Sequence, residues 1–482
     1  MRIDISNAEL HNMVRRKNGL EVREALVSIK TPTAGTKYVG GFSVESPFTT
    51  EVWHYLFEQD TTTLETTMRV YTEDFLEMFT QSLGALDANP VITHAVYNNQ
   101  IMVNSPSFSG PLYGLVGGGI IPAVKTESIN PDTTALEIPQ GHVCSFGDRM
   151  PIAQGNIVYF NDPGVDPRTY VAQNALPLSG TIYDMFQGDD GALYMFTSAG
   201  VFFMAQDALG KGQRVEGFIG SIPGLQTTKP RNAAASNGVV AVLQKTGIVI
   251  LGGRTQTIDI APYKGPRYAA KAVDVDDYRI SGEIHPTAEG FIVAFRGQNG
   301  FFLDFNLRDG YRSYVWHPAP DGVDINIVGC LSSKENSTLL IDDNNVLMYK
   351  GNKDFDTFGY PIKNFLRGVA ALDVDTPEGV EMLVRHAVIS TDNIGQFASA
   401  RIGHAFKTDT CQAKPEDTLI GTTEWDLLAK YNGRRLRSTR VSLAERMTNI
   451  PMEIVTYGSR RRIEPGVDLQ VKGQGRKRGD KR

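Results

Sequence analysis

The sequence predicts an all-β protein. We expect a β-propeller of about six blades with an additional β domain, formed by the C-terminal segment with or without the N-terminal one. Three observations predict this fold: short apolar runs bounded by turn residues, a repeat of such runs with a period of 47 to 52 residues, and further strand-like runs after the repeats. Short, evenly spaced strands with glycine-containing turns are typical of propellers.

Composition indicates a folded chain with many turns. The 482 residues include 48 Gly and 24 Pro, which stand between short apolar runs. Hydrophobic residues make up 41% and charged residues 21%, which is close to the globular average and unlike a disordered chain. The length allows two or three domains.

The strongest repeat occurs three times and consists of two apolar runs, each introduced by Gly. The first Gly is Gly191, Gly238 and Gly290 in turn, and the second Gly follows after 9, 9 and 10 residues. Weaker copies occupy 98–103, 155–160 and 338–349. Nearly continuous apolar runs fit blades because stacked blades bury both faces of each sheet. A β-sandwich or barrel with similar hairpins remains an alternative.

The domain organisation follows from these repeats. We expect a propeller over 91–352, preceded by an N-terminal segment, 1–90, that packs on the β platform. Within that segment, residues 72–84 predict one short amphipathic helix, capped by Thr72 and ended by Gly84. A C-terminal β domain over 353–472 and a flexible basic tail over 473–482 complete the chain. The predicted C-terminal strands are 381–390, 396–406, 436–444, 451–457 and 467–472.

Cysteine usage and hydropathy favour a reducing compartment. Cys144, Cys330 and Cys411 are odd in number and far apart, which argues against a disulfide framework or a C-x-x-C motif. No stretch approaches the roughly 18 apolar residues of a membrane helix, and residues 1–20 do not read as a signal peptide. We therefore expect synthesis in a cytoplasm.

Motifs for catalysis or cofactor binding are missing from the sequence. Residues 114–119 and 210–212 are Gly-rich, but both lack the strand-to-helix context of a phosphate loop, so we interpret them as flexible loops. The eight His are scattered without zinc spacing, and even His386 and His404 are only neighbours in sequence. Acidic groups such as 189–190 and 274–277 lie beside turns and are interpreted as solvated turn residues. We predict no catalytic residue, metal or cofactor, and hence no enzyme.

Basic residues are concentrated at the C-terminal end. Between 430 and 482 there are 15 basic and 5 acidic residues, so this part carries +10 and the rest of the chain −16. Such a patch can bind nucleic acid or acidic protein surfaces. We favour contact with neighbouring subunits or partner proteins. The candidate contact residues are Arg434, Arg435, Arg437, Arg460, Arg461 and Arg462.

Several short stretches resemble the tail nozzle proteins of short-tailed bacteriophages, also called packaged-DNA stabilisation or tail tubular proteins. Residues 18–23, Asn-Gly-Leu-Glu-Val-Arg, look like the opening of those proteins, although Glu24 and Ala25 depart from the Pro-Gly that often follows there. Residues 156–164 are similar to their strand ending in an Asn-Asp turn, and 239–251 to their blade hairpin. The resemblance covers about 18–471 in organisation and a few dozen residues in detail.

The resemblance implies a ring, usually a hexamer, below the portal and adaptor proteins of a virion tail. Double-stranded DNA passes through the lumen of such a ring without specific binding, and tail fibres or tailspikes attach to its sides. No catalytic residue carries over. Two alternatives remain open. One is a carbohydrate-binding or carbohydrate-active propeller, for which 18 Tyr and 23 Phe could supply stacking surfaces. The other is a tail-fibre or receptor-binding protein.

Overall fold

A computed structural model of the chain describes residues 9–11, 13–16, 19–22, 25–126, 134–161, 166–188, 190–205, 219–222, 224–236, 239–245, 247–252, 255–257, 277–287, 290–295, 302–306, 313–317, 326–333, 338–350, 363–371, 380–391, 398–402, 438–447, 449–457, 462–468 and 476–477. Only the backbone is described for 9–25, 219, 252, 255–257, 302–306, 313–317 and the ranges from 349 onward.

The first strands of the chain and the first two propeller sheets follow one another directly. The N-terminal strands are β1 (Glu9–His11), β2 (Met13–Arg16), β3 (Gly19–Val22) and β4 (Ala25–Lys30). Sheet 1 contains β5 (Thr36–Glu45), β6 (Val52–Asp60), β7 (Glu65–Thr72) and β8 (Glu77–Ala85). Sheet 2 contains β9 (Thr93–Tyr97), β10 (Gln100–Asn104), β11 (Leu112–Leu115) and β12 (Ile120–Pro122).

Sheets 3 to 5 repeat the same antiparallel order. Sheet 3 contains β13 (His142–Val143), β14 (Ile152–Gln154), β15 (Ile157–Asn161) and β16 (Tyr170–Pro177). Sheet 4 contains β17 (Ile182–Gln187), β18 (Leu193–Thr197), β19 (Val201–Met204) and β20 (Ile219–Ile222). Sheet 5 contains β21 (Ala233–Ser236), β22 (Val239–Gln244), β23 (Gly247–Gly252) and β24 (Thr255–Thr257).

The last two propeller sheets recruit strands from outside the repeats. After the short helix α1 (Tyr278–Ser281), sheet 6 begins with β25 (Gly282–Pro286), β26 (Gly290–Phe295), β27 (Phe302–Asn306) and β28 (Ser313–His317). Sheet 7 contains β29 (Ile327–Ser332), β30 (Thr338–Asp342), β31 (Asn345–Lys350) and, as its fourth strand, β4. The outer strand of the last sheet therefore comes from the N-terminal segment, which closes the ring.

The C-terminal strands are β32 (Lys363–Ala371), β33 (Val380–Thr391), β34 (Ala398–Ile402), β35 (Ser438–Met447), β36 (Asn449–Tyr457), β37 (Arg462–Asp468) and β38 (Arg476–Lys477). Sheet 6 continues through β1, β32, β36 and β34 into an eight-stranded sheet. The remaining strands form a second sheet in the order β2-β3-β37-β33-β35, with β38 on β33.

The predicted all-β propeller is confirmed. In the described residues six four-stranded sheets stand alone, and the first four strands of the eight-stranded sheet repeat their form. Seven clusters of buried apolar side chains each fill the gap between two neighbouring sheets, including the gap between sheet 7 and sheet 1. The six predicted repeats correspond to second or third strands of sheets 2 to 7. Sheet 1 is a further unit that the repeat pattern did not include.

The predicted helix over 72–84 is wrong, because this segment forms a turn and then the strand β8. Phe75 has a φ of +60° in the turn, and Leu76 N–H donates to Thr72 Oγ1 over 3.2 Å. Gly84 sits at a shift in the pairing of β8 with β7 and does not end a helix. Long-range pairing with β7 prevails over the local apolar spacing that suggested a helix.

Two further boundaries need correction. The N-terminal segment 1–90 does not pack on the propeller from outside, because it supplies all of sheet 1 and the strand β4. The tail 473–482 contains β38, which pairs with β33, so the prediction of a wholly flexible tail is wrong at Arg476 and Lys477. The other predicted C-terminal strands overlap β33 to β37, with ends displaced by a few residues.

The seam between sheets 7 and 1 depends on a close approach of two inner strands. A Cβ atom on Gly41 would lie 2.6 Å from Ile341 Cδ1 and 2.8 Å from the carbonyl oxygen of Tyr55. The same seam is crossed by a hydrogen bond from Ser332 N–H to Ser43 Oγ over 2.9 Å. Glycine is therefore required at position 41 for steric reasons.

We expect Gly41→Ala to lower the free energy of unfolding by about 1–3 kcal/mol, since the added methyl group pushes Ile341 away across the seam and displaces the Tyr55 carbonyl within the pairing of β5 with β6. Urea denaturation followed by fluorescence measures the change. Gly110→Ala is the matched control, because a Cβ there meets no atom within 4 Å. Equal stability of the two variants would contradict a tight seam.

Candidate functional site at the propeller axis

The first strands of the seven sheets surround the axis of the propeller, and charged side chains gather where these strands begin. Arg231 lies two residues before β21, and Glu283 is the second residue of β25. Because neighbouring inner strands lie side by side around a central channel, their N-terminal residues converge at one mouth of it. We call this group the axial cluster; it consists of His142, Asp184, Arg231, Glu283 and His285.

Arg231 crosses the mouth of the channel. Its Nη1 donates to Glu283 Oε2 over 3.2 Å, and its Nη2 donates to the carbonyl oxygen of Pro90 over 3.3 Å. Pro90 belongs to the lead-in of sheet 2, so the side chain connects sheet 5 with sheet 6 and with the far side of the ring. A Cβ atom on Gly40 of sheet 1 would lie 3.6 Å from Nη2. The Arg231 side chain thus reaches across the propeller axis from sheet 5 toward sheets 1 and 2.

The backbone of Arg231 is held in an unusual conformation. Its φ is +65°, a left-handed value that side-chain-bearing residues rarely adopt. The N–H of Arg231 donates to Asp184 Oδ1 over 3.0 Å, and its carbonyl oxygen accepts from the N–H of Ile284 over 2.8 Å. These bonds to two neighbouring sheets offset the conformational cost and fix the direction of the side chain.

Asp184 is a buried acceptor between sheets 4 and 5. Besides the Arg231 N–H, its Oδ2 accepts the N–H groups of Asn232 and Ala233 over 3.1 and 3.2 Å. Burial raises the pKa of this carboxyl to about 7, although the three N–H donors and the Arg231 charge act in the opposite direction. The pairing of β17 shifts between Ile182 and Asp184. Asp184 therefore joins two sheets and positions Arg231.

Two imidazoles complete the axial cluster. His142 is 7% exposed, and its Nδ1 has no hydrogen-bond partner among the described residues. Burial, with the nearby Arg231 charge as a smaller cause, lowers the pKa of His142 to about 4, so the ring is neutral at pH 7. His285 lies two residues after Glu283, with its Nε2 3.8 Å from Glu283 Oε2. The cluster therefore offers donors and acceptors with little net charge.

A serine–histidine contact elsewhere has a structural explanation. Ser43 Oγ lies 2.9 Å from His54 Nδ1, and the same oxygen accepts the N–H of Ser332 across the seam between sheets 7 and 1. The His54 ring is fully buried and stacks on Phe75 with centroids 5.0 Å apart. Burial lowers the pKa of His54 to about 4. We assign this pair to the seam, because the ring is closed off from a substrate.

The side chains of the arginines and of the two histidines singled out in the sequence are not part of what the structure describes. Arg434, Arg435, Arg437, Arg460 and Arg461 lie outside the described residues, and Arg462 is described only as the first residue of β37. His386 is described only as a backbone position of β33, and His404 lies outside the described residues.

The Gly-rich and acidic segments agree only in part with their interpretation from the sequence. Asp190 is an exposed turn residue that accepts the N–H of Ala192 over 3.1 Å, as expected for its position. Asp277 is only 9% exposed, caps α1 and pairs with Arg279, so its interpretation as a solvated turn residue is wrong. The interpretation of 114–119 as a flexible loop is also wrong, because Gly117 has a φ of +73° and donates its N–H to Tyr55 Oη over 3.0 Å, which makes this segment a strand end and a packed turn. Residues 210–212 and 274–276 lie outside the described residues.

The axial cluster was missed although the repeat contains a signal for it. Asp184, Arg231 and Glu283 each lie seven residues before the first Gly of a strong repeat, Gly191, Gly238 and Gly290. All three lie at or near the beginning of the inner strand of their sheet. Three charged residues at one repeat position therefore predict a charged ring, which alignment of the apolar runs alone does not reveal.

In the part of the chain that the structure describes, no group of three His, Cys, Asp or Glu side chains could hold a metal ion. No helix there has the length and apolar character to cross a membrane.

The chain is a β-propeller protein with a polar cluster at its axis. No protein-family model and no curated protein matches it. A streptogramin B lyase structure is similar with 12% identity and a TM-score of 0.39, over 71% of this chain and 97% of that chain. The extracellular domain of a hybrid two-component system of B. thetaiotaomicron is similar with 12% identity and a TM-score of 0.40, over 78% of this chain and 44% of that chain. An exo-β-1,3-galactanase of Phanerochaete chrysosporium, in a structure with β-1,3-galactotriose, is similar with 10% identity and a TM-score of 0.23, over 93% of this chain and 100% of that chain. At these TM-scores the likeness carries no argument about function.

Proposed function

We propose that the protein is a structural subunit of the tail nozzle of a short-tailed bacteriophage, assembled as a ring below the portal and adaptor. The observation that carries this proposal is the eight-stranded sheet, in which the propeller and the C-terminal strands are one continuous unit. The sequence motifs at 18–23, 156–164 and 239–251 support the same proposal.

The continuous sheet makes the junction between the two parts stiff. β32 pairs with β36 over nine residue pairs, and β1 joins β32 to the outer propeller strand β28. Backbone hydrogen bonds along such a ladder have to break together when the strands are sheared apart. A subunit that retains DNA under pressure needs this kind of junction, whereas a flexible linker suits a propeller that only binds ligands.

Arg231 also bears on where DNA would pass. Because its side chain crosses the channel mouth, the channel of a single propeller is not an open conduit. In our proposal DNA passes through the lumen between copies, and the propellers form part of the surrounding wall. A cyclic, head-to-tail arrangement provides such an open axis.

We expect negative-stain images of the full chain, alone or bound to a portal–adaptor complex, to show a cyclic ring with a central hole. Mass photometry gives the number of copies. Monomers in isolation that form rings on the portal complex agree with the proposal, because ring interfaces can depend on the platform. A closed two-fold dimer in the assembled particle contradicts it.

The six C-terminal arginines provide the matched variants for this test. In our proposal they contact acidic surfaces of neighbouring chains, so replacing all six by Glu abolishes ring formation while replacing all six by Lys retains the charge and the ring. Single exposed pairs contribute only about 0–1 kcal/mol, which is why the multiple change is used. Rings that form normally with the Glu variant but release DNA early would place the arginines at the lumen instead.

A carbohydrate-binding propeller is a second candidate function. The observation that favours it is the axial cluster, whose guanidinium, carboxylate and imidazole groups lie together near the propeller axis. Binding at this site and assembly into a ring do not exclude each other, and different experiments test them.

A further inference from the structure

Exposed apolar side chains are concentrated in one sector of the propeller. Seven large apolar side chains are exposed among the described residues, and six of them belong to sheets 1 and 2 or directly follow sheet 2. These six are Phe48, Leu76, Met78, Leu115, Ile121 and Val124. Single exposed apolar side chains are ordinary, whereas a group of them bordered by polar residues marks a surface for another macromolecule.

Four of the six lie at the same end of the two sheets, where the first strand turns into the second and the third into the fourth. They are Phe48 in the turn from β5 to β6, Leu76 in the turn from β7 to β8, Met78 near the start of β8 and Leu115 at the end of β11. The sheets touch at this end. Ser46 Oγ donates to Asn99 Oδ1 over 3.0 Å, and a Cβ atom on Gly119 would lie 3.5 Å from the Phe79 ring. We call this end of sheets 1 and 2 the turn surface.

The turn surface is bordered by acidic residues. Residues 36–122, which contain both sheets, hold nine acidic and two basic residues, a net charge of −7. Lys37 is at the opposite end of β5, and Arg69 is already paired with two carboxylates of sheet 1. The exposed acidic residues at the turn end of sheet 1 include Glu45, Glu51 and Asp74. A partner for this surface therefore needs apolar groups surrounded by positive charge.

Charge complementarity identifies the partner as a second copy of the chain. Residues 430–482 carry a net charge of +10. β36, in the middle of this range, lies in the sheet that continues outward from sheet 6, whereas sheets 1 and 2 stand two and three places further around the ring. One chain thus carries its acidic surface and its basic end in different sectors. Complementary surfaces in different sectors join copies head to tail.

We propose that the turn surface accepts the basic end, residues 430–482, of a neighbouring copy. The four exposed apolar side chains are covered at the centre of this contact, and the carboxylates at the rim face Lys and Arg side chains. The inference rests on the proposed ring and deepens it, because it names the surface on which successive subunits join.

Photocross-linking of the assembled full chain tests the contact directly. Met78, which is 58% exposed, is replaced by benzoylphenylalanine, and chains labelled with light and heavy nitrogen are mixed before assembly. We expect cross-links from position 78 of one isotope to residues 430–482 of the other. Ile280 on α1 is the control position, because it is 66% exposed and far from the turn surface, and a label there should give no such cross-link. Cross-links confined to one isotope, or directed to an adaptor protein, overturn the inference.

Charge reversal measures what the acidic rim contributes. Glu45→Lys/Glu51→Lys should weaken self-association of the full chain by about 10-fold in sedimentation velocity at 50 mM NaCl, since like charges then face each other. Combination with the six Arg→Glu replacements should restore association. Glu65→Lys/Glu137→Lys is the matched control, because it changes the net charge equally at exposed positions away from the turn surface. Equal association of all variants overturns the proposed contact.

The ring images separate this inference from the nozzle proposal. Rings in which position 78 cross-links to a region other than 430–482 retain the nozzle proposal and overturn the turn surface as the subunit contact. A two-fold dimer in which position 78 reaches residues 430–482 of the other copy retains the turn surface and overturns the nozzle. Monomers under all conditions, including the portal complex, overturn both.

Discussion

Val240→Asp is expected to unfold the whole propeller and not only one blade. Val240 lies on β22, is 1% exposed and packs between sheets 4 and 5 with Phe196, Val201 and Leu251. A carboxylate at this position has no partner, and a buried unpaired charge costs several kcal/mol. Domain stabilities of about 5–15 kcal/mol leave little margin for such a loss. In a closed ring each sheet is buried by two neighbours, so opening one gap exposes the rest.

Circular dichroism and urea denaturation measure this effect, and limited proteolysis reports whether unfolding extends to all sheets. Val124→Asp is the control, because Val124 is 66% exposed and its replacement should change the free energy of unfolding by less than about 0.5 kcal/mol. Val240→Ala separates loss of volume from charge, with an expected cost of roughly 2 kcal/mol. A soluble Val240→Asp protein with native spectra would show that this gap is not essential to the ring.

The repeats were predictable because sheets in a propeller bury both faces. Runs such as 239–243 and 291–295 are continuously apolar, and the glycines at their turns show where each copy of the repeat begins. Sheet 1 escaped detection because its strands are longer and more polar. β8 alternates exposed and half-buried residues along an outer edge, and its spacing of Phe79 and Leu83 also fits a helix. The closing role of β4 depends on pairing with a strand more than 300 residues away, which no local pattern encodes.

The axial cluster was harder to predict for a different reason. The first strands carry few signals of their own, since β13 has only two residues and β21 is Ala-Ala-Ala-Ser. Arg231 precedes its strand and reaches the channel only because its backbone turns left-handed, which sequence gives no reason to expect of an arginine. The position shared by Asp184, Arg231 and Glu283 in three repeats becomes informative only after the circular order of the sheets is known.

Asp184→Ala is expected to destabilise the protein by about 3–5 kcal/mol at pH 4, because three buried backbone N–H groups lose their only carboxyl acceptor at once. Asp184→Asn tests whether charge or volume matters. In this variant the amide nitrogen replaces one acceptor oxygen and faces backbone N–H donors. The Asn variant should therefore lose much of the stability that the Ala variant loses. Asp190→Ala, on an exposed turn of the same sheet, should cost no more than about 1 kcal/mol.

The pH dependence of the Asp184 variants follows from the raised pKa of the native carboxyl. An unfolded Asp titrates near 3.8 and the folded Asp184 near 7, so between these values the folded chain holds a proton that the unfolded chain has lost. The stability from Asp184 is therefore full below about pH 4 and declines as pH rises through 7. Buried His54, His94 and His142 contribute the opposite slope over part of this window, because burial lowers their pKa values to about 4.

The difference in unfolding free energy between the unchanged protein and Asp184→Ala isolates the carboxyl, since the histidines are common to both. We expect this difference to shrink as pH rises from 4 to 7 and to level off above 7, where the ionised carboxylate still accepts the three N–H groups. Urea denaturation at unit pH intervals measures it. A difference that grows from pH 4 to 7 would mean that the N–H donors and Arg231 outweigh burial, and that Asp184 stays ionised in the folded ring.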